Sequence, residues 1–489
     1  MLFNSHIFML LFLPLLLAGW YFLNWKKKFQ LAQGYLIGMS LWFYAYANLQ
    51  YLWLLLFSCL IGWLLSCVPE KISSEKGKKV LTGVGCVFHL GLLGYFKYSN
   101  FFLENLNTVF HTDFPMLQIL LPVGISFYTF QQLAYLIDRC RGDAPRDSFF
   151  DYLTFMVYFP QLLQGPILLR SEFMGQLKEP ERRRFHAERF SEGIQFFVFG
   201  LAKKVLLADT LAKAVNYGYS NVSMLDSISA LLLAVGYLTE LYFDFSSYCD
   251  MAVGLGKMIG LEVAENFDAP FHSASVKEFW RRWHMTLGRF FTRYVYIPLG
   301  GNRRGKMRTL CNVMIVMLLS GLWHGAAWTF VLWGFLHGVG MIWDNLEHPH
   351  LPKKWMRQAA TFAYVCMTFV FFRAESIAQG IDVLKSIVSL KWNGFVFQMA
   401  SALDMTECYI ITKALSMKLP GLLSWFWLGI FVVLIAICFR VLSGEKVSGV
   451  VALQRQKGYG RLYPVLLAVL FTWSMISMTG VSEYLYFSF

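Results

Sequence analysis

The chain is 489 residues long, 57% apolar and only 15% charged, with a formal net charge of +13. A soluble domain carries about 25% charged residues, whereas here apolar runs of about 18 or more residues, the length that spans a bilayer, recur from end to end, which excludes a string of soluble domains. The Lys and Arg residues sit in short loops between those runs, where cytoplasm-facing loops collect positive charge, so the basic balance does not point to nucleic acid.

The first apolar run, 6–23, has no Lys or Arg before it and Lys26, Lys27 and Lys28 after it. A signal peptide carries its positive charge in front, so a retained span with its N-terminus outside is expected. Spans follow at 31–49, 51–68, 80–96 and 117–137, with basic loops at 69–79 (PEKISSEKGKK) and after 137 (DRCRGDAPRD). Segment 152–169 is apolar but is interrupted by Pro160, Gly165 and Pro166 and holds Gln161 and Gln164. Non-helical backbone survives at membrane depth only when buried in protein or lining a cavity, so this piece reads as broken or re-entrant. After the basic tract 170–189, further spans are expected at 193–215, 227–248, 310–323, 326–343, 356–372, 422–439 and 462–478.

The expected fold is therefore an all-α polytopic membrane protein with about eleven spans, plus re-entrant or interfacial pieces near 152–169 and 273–300. Alternating the spans places the basic loops inside. The exception is 373–418, which falls outside although it carries five cations. Residues 376–420 read as an extramembrane loop between a core at 1–375 and closing helices at 421–489. The nine cysteines include no CxxC pair and lie mostly in apolar runs, where a thiol acts as a small hydrophobe.

Two stretches break the apolar monotony. The first is FWRRWHMTLGRFFTRYVYIPLGGNRRG, 279–305. Helical spacing over 277–294 places Phe279, Trp283, Leu287, Phe290 and Tyr294 on one side, Arg282, Arg289 and Arg293 on another, and Arg281, His284 and Gly288 on a third. One reading is an amphipathic helix in the membrane interface with its arginines on headgroups. The other is a buried cationic pocket for an anionic ligand, since guanidinium forks match phosphates, followed by a re-entrant turn at IPLGGNRRG.

The second stretch is SGLWHGAAWTFVLWGFLHG, 320–338. The span before it, 310–323, makes about 21 Å of helix, short of a hydrocarbon core of about 30 Å, so His324 falls at a helix end within the membrane. An ionisable residue there marks a functional site, unless it merely bonds backbone carbonyls at a kink; His337 reads as a packing residue. No third ligand accompanies His284 and His324 at metal-binding spacing, so no metal is expected, and the HPH at 348–350 looks incidental. GLGKMIG, 254–260, has the wrong spacing for a nucleotide loop, and its Gly256 and Gly260 suit helix packing.

Together the two stretches resemble the membrane-bound O-acyltransferase family, in the bacterial branch that includes the membrane subunit of alginate O-acetylation. LPVGISFYTFQQLAYLID (121–138), YFPQLLQGPILLRSEF (158–173), GLAKKVLLADTLA (200–212), FDFSSYCDMAVGLGKMIGLEVAENFDAPF (243–271) and the terminal YLYFSF are similar to that branch as well. The resemblance spans nearly the whole chain apart from about 376–420. It departs in Met285-Thr286-Leu287-Gly288, where Ile-Ser-Leu-Ser is more usual.

It implies a ring of tilted helices around a central tunnel, with His324 as catalytic base and His284 as the second active-site position. It also implies a cytosolic acyl thioester, acetyl-CoA or another, as donor substrate, and no permanently bound cofactor. Arg281, Arg282, Arg289 and Arg293 would suit the donor phosphates. The acyl group would pass to an extracytoplasmic partner of the SGNH esterase type that modifies a polysaccharide, and the location would be the bacterial cytoplasmic (inner) membrane. Histidine fits the chemistry because its ordinary pKa lies near neutrality and it can take the hydroxyl proton as oxygen attacks the thioester. The rival readings are a polysaccharide or lipid transporter, for which broken helices and an intramembrane histidine also serve, and a structural scaffold.

Overall fold

The computed structural model describes residues 1–346, 353–442, 446–458, 460, 462–478 and 484–485. The HPH at 348–350, Arg461 and most of the terminal YLYFSF lie outside the described residues. Among the described residues there are helices, turns and extended connections but no strand, so the protein is all-α. Six helices among the described residues are long and apolar enough to cross a bilayer: Phe8–Trp25, Leu49–Cys67, Glu75–Phe110, Ser227–Ile259, Lys306–His324 and Pro420–Phe439. The expected spans at 31–49, 326–343 and 356–372 are realised, with ends shifted by a residue or two, as Phe29–Asn48, Trp328–Asn345 and Lys354–Arg373, and 193–215 lies within the helical run 187–220. The chain is a multi-pass membrane protein.

The organising element is Ser227–Ile259. Most of it is buried, whereas the other five long apolar helices turn most of their surface outward. Its 33 residues make about 50 Å of helix, eleven residues beyond the expected 227–248. Gly260, with φ +81°, ends it in the left-handed conformation that suits glycine. Its last carbonyls find donors in the first helix: Trp20 Nε1 donates to Ile259 O at 3.0 Å, and the Tyr21 hydroxyl donates to Met258 O.

Ala187–Ala202 lies against this helix at backbone distance. A Cβ on Gly193 would stand 2.6 Å from Gly254 O, and one on Gly254 would stand 2.5 Å from Gly193 O. Within GLGKMIG, then, Gly254 is the packing glycine. The expectation for the other two is corrected: Gly256 makes room for the returning chain at Leu261, and Gly260 caps the helix. Gly254→Val is expected to force two helices apart, because the obstacle is backbone and cannot rotate away. Overpacking of this kind costs about 1–3 kcal/mol, read as a lower melting temperature in detergent and less protein in the membrane.

Two expected spans change shape. Residues 111–124 are not helical, so the expected span 117–137 is realised only as Ile125–Arg141. Pro122 and Gly124 explain it: Gly124 has φ +80°, and a Cβ there would press on Leu162 O. Conversely, the span expected to end at 96 runs on through a π turn at Gly94–Tyr98 to Phe110, with Lys97 inside it. Segment 152–169 is broken as its prolines suggest, into Phe149–Val157, Phe159–Leu162 and extended chain. Every residue from 152 to 169 is buried, so the broken backbone is covered by protein.

The basic loops meet. Arg139 reaches Glu70 at 2.6 Å, Arg170 reaches Asp147 at 2.5 Å, and Arg289 pairs with Glu172. At the opposite end of the central helix, the Asp226 carboxylate accepts from the N–H groups of Ser229, Asn393 and Gly394 at 2.8, 3.2 and 3.1 Å. That cap anchors 376–420, which is built of helices Ile377–Val388, Phe395–Ser401 and Tyr409–Lys418, with Phe395, Val396 and Met399 buried.

Candidate active site

Lys306–His324 and Trp328–Asn345 form a tight hairpin. Gly334 faces Met317 O so closely that a Cβ would lie 2.5 Å from it, and Gly321 lies against Phe330 O. The helix ends at His324, but it begins at Lys306, so its 19 residues make about 28 Å rather than the short span expected from 310–323; its last carbonyls are left without helical partners. They are taken by a neighbouring helix: Lys97 Nζ donates to Trp323 O at 2.7 Å and His324 O at 2.9 Å, and the Tyr98 hydroxyl donates to Leu322 O at 2.6 Å. An ammonium at a helix C-terminus also complements the helix dipole. The His324 ring is buried among Trp323, Trp333 and Phe372, with centroids 4.9, 5.2 and 5.2 Å away.

His284 arrives from a different element. The continuous helix expected over 277–294 does not form: Val276–Arg282 stops, and Met285–Phe291 begins anew. Returning chain at 266–268 causes the break. Met285 N–H donates to Asn266 O at 2.9 Å, and Arg282 O accepts from Asp268 N–H at 2.9 Å, so the groups that would continue the helix are spent. His284 sits at the corner with φ +46° and ψ +52°. A non-glycine residue in this left-handed region is strained, and such strain gathers at functional sites. The corner turns its ring onto Phe245 at 4.7 Å and brings it to 6.4 Å from His324, centroid to centroid. The two histidines, 40 positions apart, thus share one buried aromatic pocket.

Asn266 holds this corner. Its Oδ1 accepts from Thr286 N–H at 3.1 Å and from the Thr286 hydroxyl at 2.9 Å, and lies 3.2 Å from His284 Nδ1. One recess meets His324 and a second meets Asn266, which lies against His284. A cleft of about 40 Å³, lined by Lys97, Pro122, Gly124, Leu163 and Trp323, reaches His324. A larger chamber of about 570 Å³, walled by Lys203, Ser246, Cys249, Asp250 and Lys446 among others, ends at Asn266.

Of Arg281, Arg282, Arg289 and Arg293, three are paired with carboxylates. Arg282 pairs with Glu278 at 2.9 Å, Arg289 with Glu172, and Arg293 with Asp138 and Asp143 at 3.0 Å each; Arg281 is exposed. His337 is buried, with Trp280 Nε1 at 3.2 Å from its Nδ1 and the Thr368 hydroxyl at 2.9 Å from its Nε2.

The family model for the membrane-bound O-acyltransferases matches residues 141–380, which include both histidines. The peptidoglycan O-acetyltransferase of Helicobacter pylori is 35% identical over 423 residues, covering 80% of this chain and 80% of that protein. The chain belongs to the membrane-bound O-acyltransferase family. The probable alginate O-acetylase AlgI of Azotobacter vinelandii is 39% identical over 389 residues, covering 77% of this chain and 76% of that protein. The teichoic acid D-alanyltransferase of Streptococcus thermophilus is 28% identical over 253 residues, covering 49% of this chain and 58% of that protein.

This acyltransferase therefore carries its two conspicuous histidines in one place. Sequence reasoning had no grip on Lys97, Tyr98, Asn266 or Thr286. Lys97 looks like the charge that ends a span, and Asn266 is one polar residue in the run AENFDAP. Lys97→Met removes both bonds to the carbonyls of Trp323 and His324. Since a displacement of about 1 Å in a reacting group can cost on the order of 100-fold, acyl transfer per folded molecule is expected to drop by about that factor. Transfer assays at matched folded amounts measure this.

Proposed function

We propose that this O-acyltransferase takes a short acyl group, acetyl foremost, from a cytosolic thioester such as acetyl-CoA, with His324 as general base. The single observation that supports this most is the meeting of His324 and His284 in one buried aromatic pocket, with a cleft reaching His324. His324 removes the proton of the attacking hydroxyl; the oxygen bonds to the thioester carbon; the carbon–sulfur bond breaks; and the departing thiolate takes the proton from His324. The aromatic walls exclude the water that would otherwise hydrolyse the donor.

The relatives' names include acetyl transfer to peptidoglycan and alginate, which supports an envelope or extracellular polysaccharide as the final acceptor. The acyl group crosses the bacterial inner membrane, whose cytoplasmic face is the end carrying the joined basic loops, with the N-terminus outside. An extracytoplasmic SGNH-type partner completes the transfer. Of the four arginines, the exposed Arg281 suits donor phosphate best, because Arg282, Arg289 and Arg293 must first exchange a carboxylate partner.

Proteoliposomes supplied with labelled acetyl-CoA on the basic-loop side, and with alginate or peptidoglycan fragments on the other, test this reading. Consumption of thioester and labelled ester on the acceptor side, with partner protein present, are expected. Intact thioester alongside movement of unmodified polymer would instead establish a transporter.

A further inference from the structure

The hydrogen bonds around Asn266 determine more than a corner. Amide oxygen and nitrogen are alike in shape, and only their partners tell them apart. Here the partner is decisive. The backbone N–H of Thr286 is a donor and nothing else, and it lies 3.1 Å from Asn266 Oδ1, so that atom is the oxygen. An amide oxygen only accepts. His284 Nδ1, 3.2 Å from the same oxygen, must therefore carry the hydrogen, and in the neutral ring Nε2 then carries the lone pair. The other side of the amide is engaged too: Asn266 Nδ2 lies 3.5 Å from Cys249 Sγ. The side chain is 1% exposed.

We infer that Asn266 is the positioning residue of His284, holding the imidazole in the Nδ1–H tautomer at its strained corner so that Nε2 acts as a hydrogen-bond acceptor in the pocket shared with His324. This rests on the reading of that pocket as the acyl-transfer site. It also divides the labour. A neutral His284 held this way has no N–H at Nε2 to offer a developing oxyanion; it accepts a hydrogen bond and so orients the attacking hydroxyl toward His324. Asn266 is also a wall of the larger chamber, so it stands between that space and the histidine pair.

The test uses full-length protein in proteoliposomes with labelled acetyl-CoA, comparing wild type with Asn266→Leu, Asn266→Asp, His284→Gln, His324→Gln and the double variant Asn266→Leu/His284→Gln. A reacting group misplaced by about 1 Å can cost on the order of 100-fold. Asn266→Leu is expected to lower kcat by that much while KM for acetyl-CoA changes by less than about 3-fold. In the His284→Gln background the same substitution is expected to have no further effect, because the residue acts through His284.

Asn266→Asp keeps the oxygen acceptor and the Thr286 bonds, so it folds even where the leucine variant does not. Its carboxylate favours the protonated imidazole, so the acid limb of the pH–rate profile is expected to move to higher pH, with activity returning in alkali. The ionisable groups facing this ring are His324, across the pocket, and Cys249, behind the amide.

A leucine variant with wild-type kcat, an unshifted acid limb in the aspartate variant, or a further loss from Asn266→Leu in the His284→Gln background would each overturn the inference. The last leaves the role of His324 standing. Full activity in His324→Gln would instead overturn the acyl-transfer reading of the pocket and, with it, the inference.

Discussion

His324→Gln is expected to lower acyl transfer by about 10²–10⁴-fold, the range that a positioned acid–base group contributes. Glutamine is close in length and keeps polar atoms near the end of Lys306–His324, but it cannot hold a proton and release it. The surrounding aromatic rings keep their places, and the Lys97 bond to the carbonyl of residue 324 is a backbone bond that survives the substitution. The variant should therefore reach the membrane in normal amount and melt near the wild-type temperature, since each pairing of the imidazole with a neighbouring ring is worth only about 0.5–1.5 kcal/mol. Single-turnover transfer from labelled acetyl-CoA separates this from a binding defect: thioester still binds, and the acyl group stays on it. A rate within a few-fold of wild type would place the base elsewhere.

The largest loss of stability is expected from Lys204→Met. Lys204 Nζ lies 2.7 Å from Asp244 and 2.9 Å from Asp209, and the side chains of Lys204 and Asp244 are almost wholly buried. Asp244 also accepts from Leu485 N–H at 2.9 Å, and the ammonium lies 4.4 Å from the centre of the Tyr484 ring. Breaking a buried ion pair by removing one partner costs about 3–5 kcal/mol, because the other charge stays behind without compensation. Adding Asp244→Asn to Lys204→Met should recover much of that loss, because the amide carries no charge and still accepts from Leu485. Thermal melting of the four proteins in one detergent measures the cycle. A single variant as stable as wild type would mean that water reaches this pair.

Much of this architecture is legible in the chain because lipid demands long apolar runs, and such runs are hard to hide. The broken segment at 152–169 is legible for the same reason: its prolines and glutamines conflict with a lipid-facing helix, and the structure buries all of it. The helix end at His324 is where the sequence places it, but not for the reason of length: the helix begins at Lys306, and its 19 residues make about 28 Å rather than a short span. The break at His284 is not legible, because the apolar period continues through it without a proline or glycine; its cause is the returning chain at 266–268, upstream in sequence, which takes the backbone groups of Arg282 and Met285. Lys97 is hidden by distance, since it bonds carbonyls 226 and 227 residues away. The arginines show the limit of reading charge by helical face. Their spacing suggests a shared strip, yet Arg282, Arg289 and Arg293 are each drawn to a different carboxylate.

The amine of Lys97 grips the carbonyl of His324 itself, and farther along the same helix Asn105 accepts from Trp328 Nε1 at 2.8 Å. The helix Glu75–Phe110 is thus riveted to both sides of the bend that presents the imidazole. The position of this helix therefore helps to set where that ring stands.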